Sequence, residues 1–167
     1  LLVIIPGLLV GAPIGEELDD RTATYLWSRP IARWLVIAGK LAALGPIAVA
    51  VMVASWVVTA VSGLGGPPSA GSVVAMAAGT AAASLAVAGI ATVVPRHAMA
   101  LAIAYLLTDL AFGYLPFTVS HLAISYHTRA LAGAVGDGGV ASPLVGLLAI
   151  GGLWSAIAAA RIRRLEL

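Results

Sequence analysis

The 167 residues are 61% hydrophobic and only 10% charged, with a formal net charge of +2 from nine basic and seven acidic side chains. A water-facing domain carries about a quarter charged residues, so the composition excludes a soluble enzyme, and its hydrophobicity excludes a disordered chain. The absence of cysteine removes disulfides, thiolate metal sites and cysteine nucleophiles.

In chain order, Leu1 to Ile14 is apolar but only 14 residues long. That length reaches about 21 Å as a helix, against a hydrocarbon core of about 30 Å. Residues 1–14 are therefore expected to be the end of a span that begins before this sequence. The next stretch, 15–37, gathers charge between two apolar regions. Leu18, Thr22, Tyr25 and Leu26 fall on one helical face. Glu16, Glu17, Asp19 and Asp20 suit a helix N-terminus, where carboxylates meet the positive end of the dipole. Arg29-Pro30 ends that helix, since the residue before proline avoids the α region, and proline is well placed to open the next. Ile31, Trp34 and Leu35 are apolar, while Arg33 and Lys40 lie two turns apart on one face, the pattern of a helix lying along the membrane interface.

From Leu41 to Pro95, 55 residues pass without Asp, Glu, Lys, Arg or His. The run breaks at Ser62-Gly63-Leu64-Gly65-Gly66-Pro67-Pro68-Ser69, a turn-forming cluster, which predicts spans over 38–61 and 72–94. Pro95-Arg96-His97 is a tight polar turn, a further span covers 98–118, and 119–142 is an external loop with a short helix or re-entrant segment around His121, Tyr126, His127 and Arg129. Pro143 opens the last span, 143–160, before a basic tail at 161–167. With the 15–40 segment, the Arg96 turn and the tail on one side, that side holds eight of the nine basic residues. The excess makes it cytoplasmic.

Small residues recur at four-residue spacing at Ala75, Gly79 and Ala83, and at Gly151, Ser155 and Ala159, a pattern that lets helices approach closely in lipid. Trp27, Trp34 and Trp154 are expected at the interface, with Trp56 packing between helices. Pro46 is expected to kink its span. Asp109 sits near the middle of the 98–118 span, where a carboxylate costs about 2.5–3.5 kcal/mol to insert. Two readings stay open for it: part of a substrate path, or a hydrogen-bonded carboxyl closing a helix interface. His121 and His127 share no helix face, so a metal site is not expected.

Glu17, Thr22, Leu26, Arg29, Pro30, Arg33, Gly39 and Lys40 together resemble a signature of ABC-2 type transporter permeases, roughly E-x-x-x-G-T-x-x-x-L-x-x-R-P-x-x-R-x(5)-G-K. Arg21 stands where that pattern has glycine. The resemblance implies an all-α polytopic membrane protein: a six-helix half-transporter of which about five helices are present, in the cell membrane, with its C-terminus cytoplasmic. It further implies a coupling helix within 16–34 that docks on a separate ATPase subunit, with ATP and magnesium held by that partner, and a second permease copy or paralogue completing an exporter. Under this reading Glu16, Glu17, Asp19, Asp20, Thr22, Tyr25, Leu26, Arg29, Pro30, Arg33 and Lys40 form the coupling site. Gly39-Lys40 lacks the upstream glycine and following hydroxyl of a phosphate loop, so ATP hydrolysis is expected on another chain; no catalytic residues and no nucleic-acid partner are expected here. The competing functions are a multi-pass scaffold without transport and a secondary transporter using Asp109 as a proton site.

Overall fold

In lipid a backbone has no water to bond, so a chain this apolar satisfies its N–H and C=O groups within helices. The computed structural model describes residues 4–19, 33–63, 65–116, 118–133 and 139–164. Among them all regular structure is helical. Helix α1 joins Ile4–Pro6, a π-helical stretch Gly7–Gly11 and Ala12–Asp19. Helix α2 is Arg33–Gly63 and α3 is Ala70–Val93. A 3-10 turn, Pro95–His97, leads into α4, Ala98–Gly113. A second one, Thr118–Leu122, precedes the short α5, Ile124–Leu131, and α6 is Ala141–Arg164. The protein is an all-α polytopic membrane protein.

Among the described residues, three helical stretches are long and apolar enough to cross a bilayer: Trp34–Gly63, Ala70–Val93 and Ala141–Ile162. They differ sharply in burial. The most apolar window of the second is 61% buried, against 11% and 17% for the others, so α3 is the axis on which the other helices pack. Helix α2 continues through Pro46 even though proline supplies no N–H to the ladder. At its far end the Trp56 indole donates to Ser72 Oγ at 3.2 Å, tying α2 to the start of α3. Ser69 caps α3, its hydroxyl accepting from the Ser72 N–H.

Alanine and glycine dominate the core, and the packing is correspondingly close. A Cβ on Gly89 would lie 2.8 Å from the Trp154 ring and 3.0 Å from the Trp154 carbonyl oxygen, and one on Gly151 would lie 2.8 Å from Leu85. Rising numbers on α3 thus meet rising numbers on α6, and the two helices run parallel. Ala75, Gly79 and Ala83 are all buried, whereas on α6 Gly151 is buried, Ser155 half-buried and Ala159 exposed. Trp154, expected at the interface, instead turns into the bundle, donating to the Tyr105 hydroxyl at 3.2 Å with the rings edge-on at 5.3 Å. Tyr105→Phe leaves that indole N–H without its acceptor. A loss of about 1 kcal/mol is expected in thermal unfolding of the detergent-solubilised protein.

Helix α4 ends at Gly113 rather than at 118. Its 16 residues cover about 24 Å, short of a hydrocarbon core of about 30 Å. The chain then turns back on itself, with the Tyr114 and Leu115 N–H groups bonded to Ala111 and Phe112 carbonyls. Gly113 is where Ser125 packs, so closely that a Cβ would overlap its side chain. Helix α5 fills the space that a shortened α4 leaves. Ile124, Ser125, His127, Thr128 and Leu131 are buried, with Thr128 seated on Gly79 of α3 and His127 on Gly146 of α6.

Candidate functional site

The charged segment enters the structure at its two ends. On α1, Pro13 and Glu17 are one helical turn apart and present a backbone carbonyl and a carboxylate on one side. Lys40, two turns into α2, reaches both. Its Nζ donates to the Pro13 carbonyl at 3.0 Å and lies 2.5 Å from Glu17 Oε2. The carboxylate is 41% exposed and the ammonium 22%, so the pair sits at a wet edge, where such a contact contributes about 0.2–1 kcal/mol. Its value is positional: it ties the end of α1 to the start of α2.

Of the other residues expected in the coupling site, Glu16 is exposed on α1. Asp19 ends α1 and Arg33 begins α2. Asp20, Thr22, Tyr25, Leu26, Arg29 and Pro30 lie outside the described residues. The same end of the bundle holds a contact that the sequence reading did not single out. Gly15 lies against the Pro95–His97 turn, where a Cβ would stand 2.5 Å from Ala98 Cβ and 3.0 Å from the Pro95 carbonyl. Gly11 and Gly7 continue that face, against Val87 and Ile103. The signal was present as glycines at four-residue spacing, Gly7, Gly11 and Gly15.

Asp109 is 6% exposed and lies in a helix interface. Its Oδ1 accepts from the Ile124 N–H at 2.7 Å and its Oδ2 from the Ser125 N–H at 2.9 Å, while Ser125 Oγ donates to the Asp109 carbonyl at 2.8 Å. The carboxylate therefore caps α5 from a different helix, satisfying two N–H groups that the helix itself leaves open. Thr108 bonds to the Ala104 carbonyl instead. Arg129, in the last turn of α5, extends back over Tyr114, its guanidinium carbon 3.8 Å from the ring centre, and donates to the Gly113 carbonyl. The His127 imidazole bonds through Nε2 to the His121 carbonyl at 2.8 Å, and His121, Tyr126 and His127 stack edge to face. Among the described residues, no three His, Cys, Asp or Glu side chains converge as a metal site requires.

A family model described as ABC-2 family transporter protein matches residues 1–112. The chain belongs to that family. Neither the curated proteins nor the solved structures contain a match. The matched stretch covers the π-containing α1, the Glu17–Lys40 pair and Asp109, and stops at Phe112, beside the glycine on which α5 docks. This ABC-2 transporter protein is thus a membrane component with a permease-type role in transport. Helices α5 and α6 follow the matched residues.

Proposed function

We propose that this ABC-2 permease is the membrane subunit of an ATP-driven exporter in the cell membrane, moved by a separate ATPase subunit through residues 16–34. The observation that carries the reading is the Lys40 clamp on Pro13 and Glu17, two motif residues meeting at the base of the segment. A clamped segment passes a push to both helices that it joins, whereas an untethered loop dissipates it. Glu16, Asp19, Asp20 and Tyr25 would face the ATPase, with Thr22 and Leu26 on the helix between them. Arg29 and Arg33, around Pro30, would pair with carboxylates or lipid phosphates through their forked donors. ATP and magnesium would sit on the partner, and a second permease copy or paralogue would complete the pathway. The concentration of basic residues around 15–40, Arg96 and the tail supports a cytoplasmic C-terminus.

The test is co-purification of the full-length protein with a separate ATPase from native membranes, compared with a Glu17→Ala, Arg33→Ala double variant. Removing about 1 kcal/mol of positioning energy predicts a roughly fivefold fall in recovered ATPase. Equal recovery with both proteins removes the coupling role from this segment. A wild-type protein that brings down no ATPase overturns the exporter reading in favour of a scaffold.

A further inference from the structure

The part of α1 that leads into the clamp is built from residues that weaken a helix. Pro6, Gly7, Gly11 and Pro13 fall within eight positions. Each proline removes an N–H and each glycine costs about 1 kcal/mol of helix propensity. Between the prolines the chain is π-helical over Gly7–Gly11, the Ala12 N–H reaching five residues back to the Gly7 carbonyl. A π stretch differs from an α-helix by one residue of register and is the less common of the two hydrogen-bonding schemes. Just beyond it, Gly15 rests on Ala98 and the Pro95 carbonyl with no room for a Cβ.

From this geometry we infer that the Gly7–Gly11 stretch is a register switch that transmits movement of the 16–34 segment to the α3–α4 turn. One residue of helical register is a rotation of about 100° and a translation of about 1.5 Å. If the stretch relaxes to α geometry while its first residue, Gly7, stays against Ile103, Ala12–Asp19 turns by that amount. Glu17 then leaves Lys40, and Ile14 or Glu16 moves into the place of Gly15. Either residue brings a Cβ to within contact distance of Ala98, and the Pro95–His97 turn must yield. A small pull on α1 becomes a discrete displacement of the hairpin leading to α4 and Asp109, as packed interfaces move in steps rather than continuously. The switch rests on the ATPase-coupled reading above and supplies its missing link between segment and bundle.

With any cysteine elsewhere in the complex replaced, spin labels at Leu18→Cys and Met99→Cys report this motion in the full-length complex. The expected result is a distance distribution that shifts by several ångströms between the nucleotide-free and the ATP-trapped complex. Deletion of Leu8, which removes the extra residue while keeping both flanks in phase, is expected to retain the ATPase partner, abolish the shift and uncouple ATP hydrolysis from transport. An unchanged distance in a complex that binds its ATPase overturns the switch and leaves the coupling role of 16–34 standing. A Leu8-deleted protein that transports at the full rate overturns it as well. Should the deletion fail to assemble, the label distances in the otherwise unaltered protein decide. No ATPase in the wild-type complex overturns the coupling reading and the switch with it.

Discussion

Asp109→Ala is expected to release α5 from the bundle. Its carboxylate is the acceptor for the Ile124 and Ser125 N–H groups, and at a site 6% exposed no water replaces it. Each buried N–H left unpaired costs about 1–3 kcal/mol. Part of this is offset, since removing a carboxylate from a membrane helix recovers some insertion cost. A net local loss of about 3 kcal/mol corresponds to a roughly hundredfold increase in amide exchange at the start of α5. Hydrogen exchange in lipid nanodiscs reads this directly, with the α3 amides as an internal reference. Asp109→Asn keeps one acceptor oxygen and turns an NH2 group toward the other donor, so its effect is expected to be about half as large. Unchanged exchange in both variants would mean that α5 is held by its contacts with Gly79 and Gly146 alone. The experiment also separates the two readings of Asp109. A substrate-path role predicts that transport falls while α5 exchange stays as it was, whereas a capping role predicts that both change together.

Gly89→Val carries the second large effect. A Cβ at this position meets both the Trp154 ring and, at 3.0 Å, the Trp154 carbonyl. A ring could swing aside, but a backbone oxygen moves only if α6 does. Overpacking of this kind costs about 1–3 kcal/mol, and here it also pulls the Trp154 indole away from Tyr105. The expected outcome is a lower unfolding temperature in detergent together with a shift in tryptophan fluorescence. Gly152→Val is the matched control, because its Cβ would point into open space on the exposed side of α6. Equal melting of the two variants would contradict the close α3–α6 contact.

Much of this was legible before any coordinates. An uncharged run of 55 residues broken by Gly-Gly-Pro-Pro specifies two membrane helices, because hydropathy and turn chemistry are local properties of the chain. The breaks within 62–69 and at 95–97 follow from clustered glycine and proline, which disfavour helix, although α2 runs on to Gly63. The motif over 17–40 points to the family because it sets charges and one proline, Pro30, at fixed spacing within an otherwise apolar chain.

What stayed hidden depends on partners distant in sequence. Lys40 reads as an interfacial cation until the fold brings it to Pro13 and Glu17. Asp109 carries no sign of its partners, since these are backbone N–H groups, identical at every non-proline position. Leu115 and Phe117 extend the apolar pattern of the 98–118 span past Gly113, with Pro116 interrupting it, whereas helix α4 ends at Gly113, where Ser125 packs. In a chain with 19 glycines, spacing by itself does not mark Gly11 and Gly15 as contacts and Gly39 and Gly152 as open positions. The sequence determined which segments are long and apolar enough to span a bilayer, because transfer into the bilayer depends on each segment's own composition; it did not determine which of them is buried, α3 far more than α2 or α6. Only the tertiary structure decided which glycines, carboxylates and carbonyls meet, because steric fit and hydrogen bonding are settled between helices once each of them has formed.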